Sequence, residues 1–175
     1  MWSKIRSEVR ALIARDLQDR IDVHCTHYRH ATDHYGEAWI TIDGVKVDGG
    51  GYFRWHRYAP TKDMLVRQAP ALFESYGEYR KANSDDPDVL LMQHSGAFET
   101  YHVVGSLKTY LSTPFDECFG ASNPIVRAFS LVDRRLGKRR FQSVELHPLE
   151  YPLVVHFYEL RRALFFPGST DDLKS

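Results

Sequence analysis

EAWITIDGVKVD, Glu37 to Asp48, is the stretch that decides the fold. Ala38, Ile40 and Ile42 alternate with Glu37, Trp39 and Thr41, the period-two pattern of a strand with one buried face. Asp43-Gly44 then separates Ile42 from Val45, and this dipeptide suits a two-residue type I′ hairpin because both central residues need positive φ. Val45 to Asp48 is therefore the return strand. Upstream, Ile21, Val23 and Cys25 alternate with Asp22, His24 and Thr26, which adds a strand before the hairpin. Downstream, Gly49 to Gly51 marks a bulge or turn, and YFRWHRY, residues 52–58, reads as a further strand or an extended edge. The prediction is an antiparallel meander of three or four strands.

Outside the meander the period is helical. Trp2, Ile5, Val9, Leu12, Ile13 and Leu17 form one apolar stripe with Arg6, Glu8, Arg10 and Arg15 between them. After Pro60, residues 61–68 and 71–82 read as helix interrupted at Pro70, and NSDDPD at 83–88 reads as a surface loop. Phe98, Tyr101, Val104, Leu107 and Leu111 make another stripe, with Ser95 or Gly96 near its start. PFDECFGAS is a connector. Asn123-Pro124 supplies an N-cap residue and a proline at the first helical position, and Gly137 is placed to end that helix after Ile125, Phe129, Val132 and Leu136. A last helix spans Pro152 to Leu164 and buries Leu153, Phe157, Leu160 and Leu164. The fold class is α+β: an N-terminal helix, the meander, then a helical C-terminal half. Residues 1–166 are expected to form one domain without internal repeats, and 167–175 a flexible tail.

Composition narrows the function. The chain has 175 residues, 43% hydrophobic and 26% charged, and a soluble domain of that size needs no disulfide or metal to hold its core. Lys+Arg and Asp+Glu both total 23, and this neutrality argues against a general DNA-coating or membrane-surface protein. Two cysteines, Cys25 and Cys118, make no zinc or disulfide pattern. MWSKIRSEVR has no apolar run of signal length, and no stretch reaches the roughly 20 apolar residues of a membrane span, so the expected location is the cytoplasm.

HCTHYRHATDH, His24 to His34, raises the question of a metal. Strand alternation puts His24, Thr26, Tyr28 and His30 on one face and His27 and Arg29 on the other. His24 and His30 then lie about 20 Å apart and cannot share an ion. Only His30, His34 and Glu37 could meet, across a loop; the plainer reading is polar residues on a sheet face, and no metal or other cofactor is expected. There is no HExxH, CxxC or P-loop. Cys25 reads as a small buried hydrophobe, and Asp116-Glu117 would raise the thiol of Cys118, so neither looks activated. Ser95 lacks a GxSxG context.

VDRRLGKRR, Val132 to Arg140, concentrates charge. Arg134, Arg135, Lys138, Arg139 and Arg140, with Arg127 upstream, bring six cations together in a neutral chain. They can offset the negative end of a helix dipole, clamp phosphate or carboxylate, or face an acidic partner. Asp133 is placed to anchor one of them. Aromatic residues are 13% of the chain, and GYFRWHRY and HFYELRR interleave them with basic residues, as interfaces and base-stacking surfaces do. Ordinary half-buried strands produce the same interleaving.

With MWSK, HCTHYRH through GEAWITIDG, NPIVRAFSLVDRRLGKRR and PLVVHFYELR identified, the chain resembles an uncharacterised bacterial family of short cytosolic proteins that begin Met-Trp-Ser-Lys. The similarity runs from residue 1 to about residue 165. It implies one domain and a bacterial cytosolic setting, and carries no catalytic or binding residue across. The leading functional expectation is a non-enzymatic, regulatory or immunity-like protein that binds a protein partner through Tyr28, His30, Trp39, Trp55, Arg127, Arg134, Arg135, Lys138, Arg139 and Arg140. The alternatives are a phosphate- or carboxylate-binding protein or enzyme using the same arginines and a histidine such as His30 or His34, and a binder of RNA or single strands.

Overall fold

The structure is a computed structural model that describes residues 2–26, 36–51, 98–148 and 150–168. The strand expected at 52–58, the helices at 61–68 and 71–82, the loop at 83–88, Ser95, the tail from 169, and Tyr28, His30, His34 and Trp55 lie outside the described residues. Within them the order is helix, three-stranded antiparallel sheet, then helices, the α+β arrangement expected.

Helix α1 spans Trp2–Leu12 and buries Ile5 and Val9. It ends before the expected Leu17, because the chain leaves the helix to pair with a distant segment. Ile13 bridges Asp133, the Ala14 N–H donates to the Val132 carbonyl at 2.8 Å, and the Arg134 N–H donates to the Leu12 carbonyl at 2.7 Å. A 3-10 turn at Arg15–Leu17 follows, with Leu17 buried. Apolar spacing alone could not separate this from a longer helix, since Ile13 and Leu17 are buried in either case.

Strands β1 (Ile21–Cys25), β2 (Glu37–Ile42) and β3 (Val45–Gly51) lie in the order β1-β2-β3, with Val23 opposite Ile40 and Ile42 opposite Val45. The hairpin is the one predicted: Asp43 has φ 51° and Gly44 φ 79°. Ile21, Val23, Ala38 and Ile40 are buried on the inner face. The glycine run is neither turn nor bulge but the end of β3; the register shift falls earlier, where Ile40 faces Asp48 and Thr41 faces Lys46, leaving Val47 as the extra residue. Close approach explains the glycines. A Cβ on Gly50 would lie 2.6 Å from both Cβ and O of Phe98, whose carbonyl accepts the Gly51 N–H at 2.9 Å.

The second half holds α2 (Thr100–Ser112), α3 (Phe115–Phe119), α4 (Pro124–Val132), α5 (Lys138–Phe141) and α6 (Pro152–Phe165). A reciprocal cap between Glu99 and His102 starts α2, which buries Val103, Leu107 and Tyr110. The expected stripe is therefore rotated: Tyr101 is 62% exposed, and Phe98 precedes the helix as a bridge partner of Gly50. The expected connector PFDECFGAS contains α3.

Helix α4 begins as its sequence predicts. Asn123 Oδ1 accepts the N–H groups of Ile125 and Val126 at 3.0 and 3.2 Å, with Pro124 in the first turn. Eight of its nine residues are buried, and Phe129 packs between Tyr110 and an edge-on Phe157 at 5.6 and 5.3 Å. The helix ends at Val132, not near Gly137, because Asp133 turns extended at the C-cap; Gly137 instead precedes α5. Helix α6 buries Leu153, Val154 and Phe157 as the central helix's main partner, while Leu164, expected inside, is 36% exposed. Arg161 takes the inner position at that end, donating through Nη2 to the carbonyls of Asp133 and Leu136 at 3.3 and 2.7 Å. Those carbonyls belong to the turn between α4 and α5, where no helix ladder serves them.

Candidate cation and aromatic surface

The turn after α4 is built around one carboxylate. Asp133 is fully buried and accepts the Tyr110 hydroxyl at 2.5 Å, and from Arg135 the backbone N–H at 2.8 Å, Nε at 3.0 Å and Nη2 at 2.7 Å. Burial, reinforced by this carboxylate, pushes the Tyr110 hydroxyl pKa far up, and the same hydrogen bonds push that of Arg135 up. Arg135 is thus the cation that Asp133 anchors, with its guanidinium fixed in place.

Short helices then supply rings under the cations. Arg135 lies 5.0 Å from the centre of Phe115; Arg140 lies 5.1 Å from Phe115 and 4.9 Å from Phe119 and forms an ion pair with Asp116. Lys138 sits 4.5 Å from Phe166, and Arg161 sits 4.5 Å from Phe165. Phe165 and Phe141 join Tyr158 in one aromatic cluster. Arg134 and Arg139 are exposed, and neither side chain has a hydrogen bond, ion pair or ring contact with a described residue. Lys138, Arg139 and Arg140 belong to α5, so the cluster as a whole does not sit on one helix C-terminus.

Arg127 stands apart from this surface. Its side chain is 12% exposed, pairs with the buried Glu150 at 3.3 Å, and reaches the carbonyls of Phe119 and Glu145 at 3.4 Å. It ties α4 to the loop before α6. Trp39 is also elsewhere, on the outer face of the sheet. It stacks on His24 at 5.0 Å and 11°, and Lys46, ion-paired with Glu37, lies 5.7 Å from its ring. His24 Nε2 is 3.1 Å from Thr41 Oγ1, and Asp22 is held by Arg6. Of the ten residues expected to form one surface, the structure brings Arg135 and Arg140 to the same ring, Phe115, and Lys138 to Phe166, with Arg134 and Arg139 exposed; Arg127 and Trp39 serve other contacts.

Sequence reasoning missed Phe115, Phe119, Phe165 and Phe166 as platforms. The signal was available in PFDECF, where Phe115 and Phe119 are four apart and meet on one side of a helical turn.

Oriented guanidinium groups are a chemistry suited to anions. No described histidine hydrogen-bonds Arg134, Arg135, Lys138, Arg139 or Arg140. Among the described residues no group of three or more His, Cys, Asp or Glu is placed to hold a metal. Burial pushes both the Cys25 and the Cys118 thiols up; at Cys118, Arg135 opposes this while Asp133 and Glu117 add to it. No helix of the described residues is long and apolar enough to cross a membrane. Residues 1–162 match the SF0329 protein family, and the chain belongs to that family. No curated protein and no solved structure matches it.

Proposed function

We propose that this protein is a non-enzymatic binding protein of a regulatory or immunity-like kind, which takes hold of an acidic segment of a partner protein through Arg134, Lys138, Arg139 and Arg140. The observation that carries this reading is the pair Arg134 and Arg139, exposed and without a counter-charge among the described residues, beside an Arg140 that lies over two phenyl rings. Burial of an uncompensated cation is costly, so such groups on a neutral chain favour a partner that supplies carboxylates. Ring-supported guanidinium groups lose little freedom on binding and are the residue type that dominates interface energetics. Enzymatic use of the same arginines would call for a histidine within their reach, and among the described residues none hydrogen-bonds them. A bacterial, cytoplasmic setting belongs to the same proposal, supported by two cysteines that are both thiols.

The test is affinity capture from the native host with the full chain and with an Arg134→Glu, Arg139→Glu variant, both checked for native circular dichroism. One protein retained by the parent, weakened on the order of tenfold by the variant and released by salt, is the expected result. Identical capture by both proteins, or capture of RNA in place of protein, overturns it.

A further inference from the structure

We infer that Asp116 occupies on Arg140 the place of a partner's carboxylate, so that this one acidic side chain sets how tightly the surface takes an acidic protein segment. The inference rests on the partner-binding reading above and adds the anchor and its resident competitor. The two arginines over Phe115 differ in their partners. Arg135 is paired with Asp133, whose side chain is 0% exposed and is also held by Tyr110; no outside group can displace that carboxylate. Arg140 is paired with Asp116, whose side chain is 77% exposed. An exposed ion pair of this kind holds its partners only weakly and exchanges with other anions.

The geometry keeps Arg140 ready for that exchange. Phe115 and Phe119 lie 5.1 and 4.9 Å from the guanidinium, so the plane stays supported when the carboxylate leaves. Asp116 comes from the same short helix as both rings, α3, while Arg140 comes from α5. Neighbouring Lys138, Arg139 and Arg134 have no carboxylate partner among the described residues, so an incoming acidic segment gains Arg140 and keeps these contacts besides. Glu117, next to Asp116, is exposed and pairs with no cation among the described residues. It therefore reports the effect of net charge without the effect of occupancy.

The experiment is fluorescence anisotropy of a labelled hexaglutamate peptide with the full chain at low ionic strength. Asp116→Asn is expected to tighten binding on the order of two- to fivefold, the range of an exposed ion pair, and Glu117→Gln by clearly less. Adding Arg140→Ala to Asp116→Asn should remove the gain. Equal gains from Asp116→Asn and Glu117→Gln, or a gain that survives Arg140→Ala, overturn the inference. A parent that binds the peptide, loses it on Arg134→Ala, Arg139→Ala, and is unmoved by Asp116→Asn overturns the inference and leaves the surface reading standing. Failure of every variant to bind overturns both. A single-stranded RNA of equal charge that gains more than the peptide from Asp116→Asn overturns the choice of a protein segment.

Discussion

Trp39 on the sheet and Phe115 on the helical side are both aromatic rings with charged or titratable neighbours, yet they end in opposite states. Trp39 stands on the central strand, where His24 from β1 and Lys46 from β3 approach it from the two flanking strands, and Lys46 is itself neutralised by Glu37. Strand register places these partners directly or diagonally opposite one another, so the ring and its charges satisfy each other within the sheet. Phe115 stands on a short helix beneath two arginines from a turn and another short helix, with Arg134 and Arg139 left over. An aromatic and basic composition therefore has two physical meanings. In a ladder it closes on itself; around a turn it leaves charge facing outward.

The largest expected loss of stability lies where the helical side is anchored. Phe129→Ala should destabilise the protein by about 3 to 5 kcal/mol in urea unfolding, since it removes a fully buried ring packed on Tyr110 and Phe157. Asp133→Ala follows at about 3 kcal/mol, because the Tyr110 hydroxyl and the Arg135 guanidinium lose a buried acceptor together. A loss below about 1 kcal/mol would mean that the turn does not depend on this carboxylate. On the sheet, His24→Ala should cost only about 0.5 kcal/mol, the scale of one cross-strand pair, and should alter tryptophan fluorescence by uncovering Trp39. Arg134→Ala and Arg139→Ala should each stay within about 0.5 kcal/mol of the parent, since both are exposed and neither side chain has a hydrogen bond or ion pair with a described residue. A large stability loss there would turn these arginines from binding residues into structural ones.

Acid sharpens the same contrast from the sheet side. Burial raises the Asp22 carboxyl, but hydrogen bonds from Arg6 and from the Val23 N–H outweigh it and bring the pKa below the usual range; Arg20 likewise holds Asp43 low. A depressed folded pKa means that the unfolded chain binds the proton more readily. The stability these pairs contribute is present above about pH 4 and is lost as pH falls through the lower folded values. Melting temperature should therefore drop on acidification below about pH 4, and Arg6→Gln should reduce that drop. An unchanged acid profile in Arg6→Gln would remove the Arg6–Asp22 pair from the account of sheet stability.

Alternation along β1 and the buried Ala38 and Ile40 of β2, the Asp43-Gly44 turn and the Asn123-Pro124 cap were legible because each rests on contacts within a few residues, whereas Val45, in the return strand, is exposed. Helix ends were not. Leu12 and Val132 end their helices because Ile13 and Asp133 bridge across 120 residues of chain, and neither local spacing contains that information. The rotation of α2 has a similar source, since Phe98 is spent on Gly50. The six-cation cluster was visible as composition, but its division was not: Arg127 goes to buried Glu150, Arg135 to Asp133, Arg140 to an exposed Asp116, and Arg134 and Arg139 to no described side chain.

The residues of this chain were enough to specify a helix, a hairpin-centred antiparallel sheet and a helical second half, because backbone hydrogen bonding and apolar period act over neighbouring positions. They were enough also to mark Val132 to Arg140 as unusual. Which cations are neutralised and which face outward was settled by packing, since a carboxylate 24 residues away in sequence reaches Arg140 from α3, and none among the described residues reaches Arg139. Charge pairing acts through space at a few ångströms, and the order of residues along the chain does not record that distance.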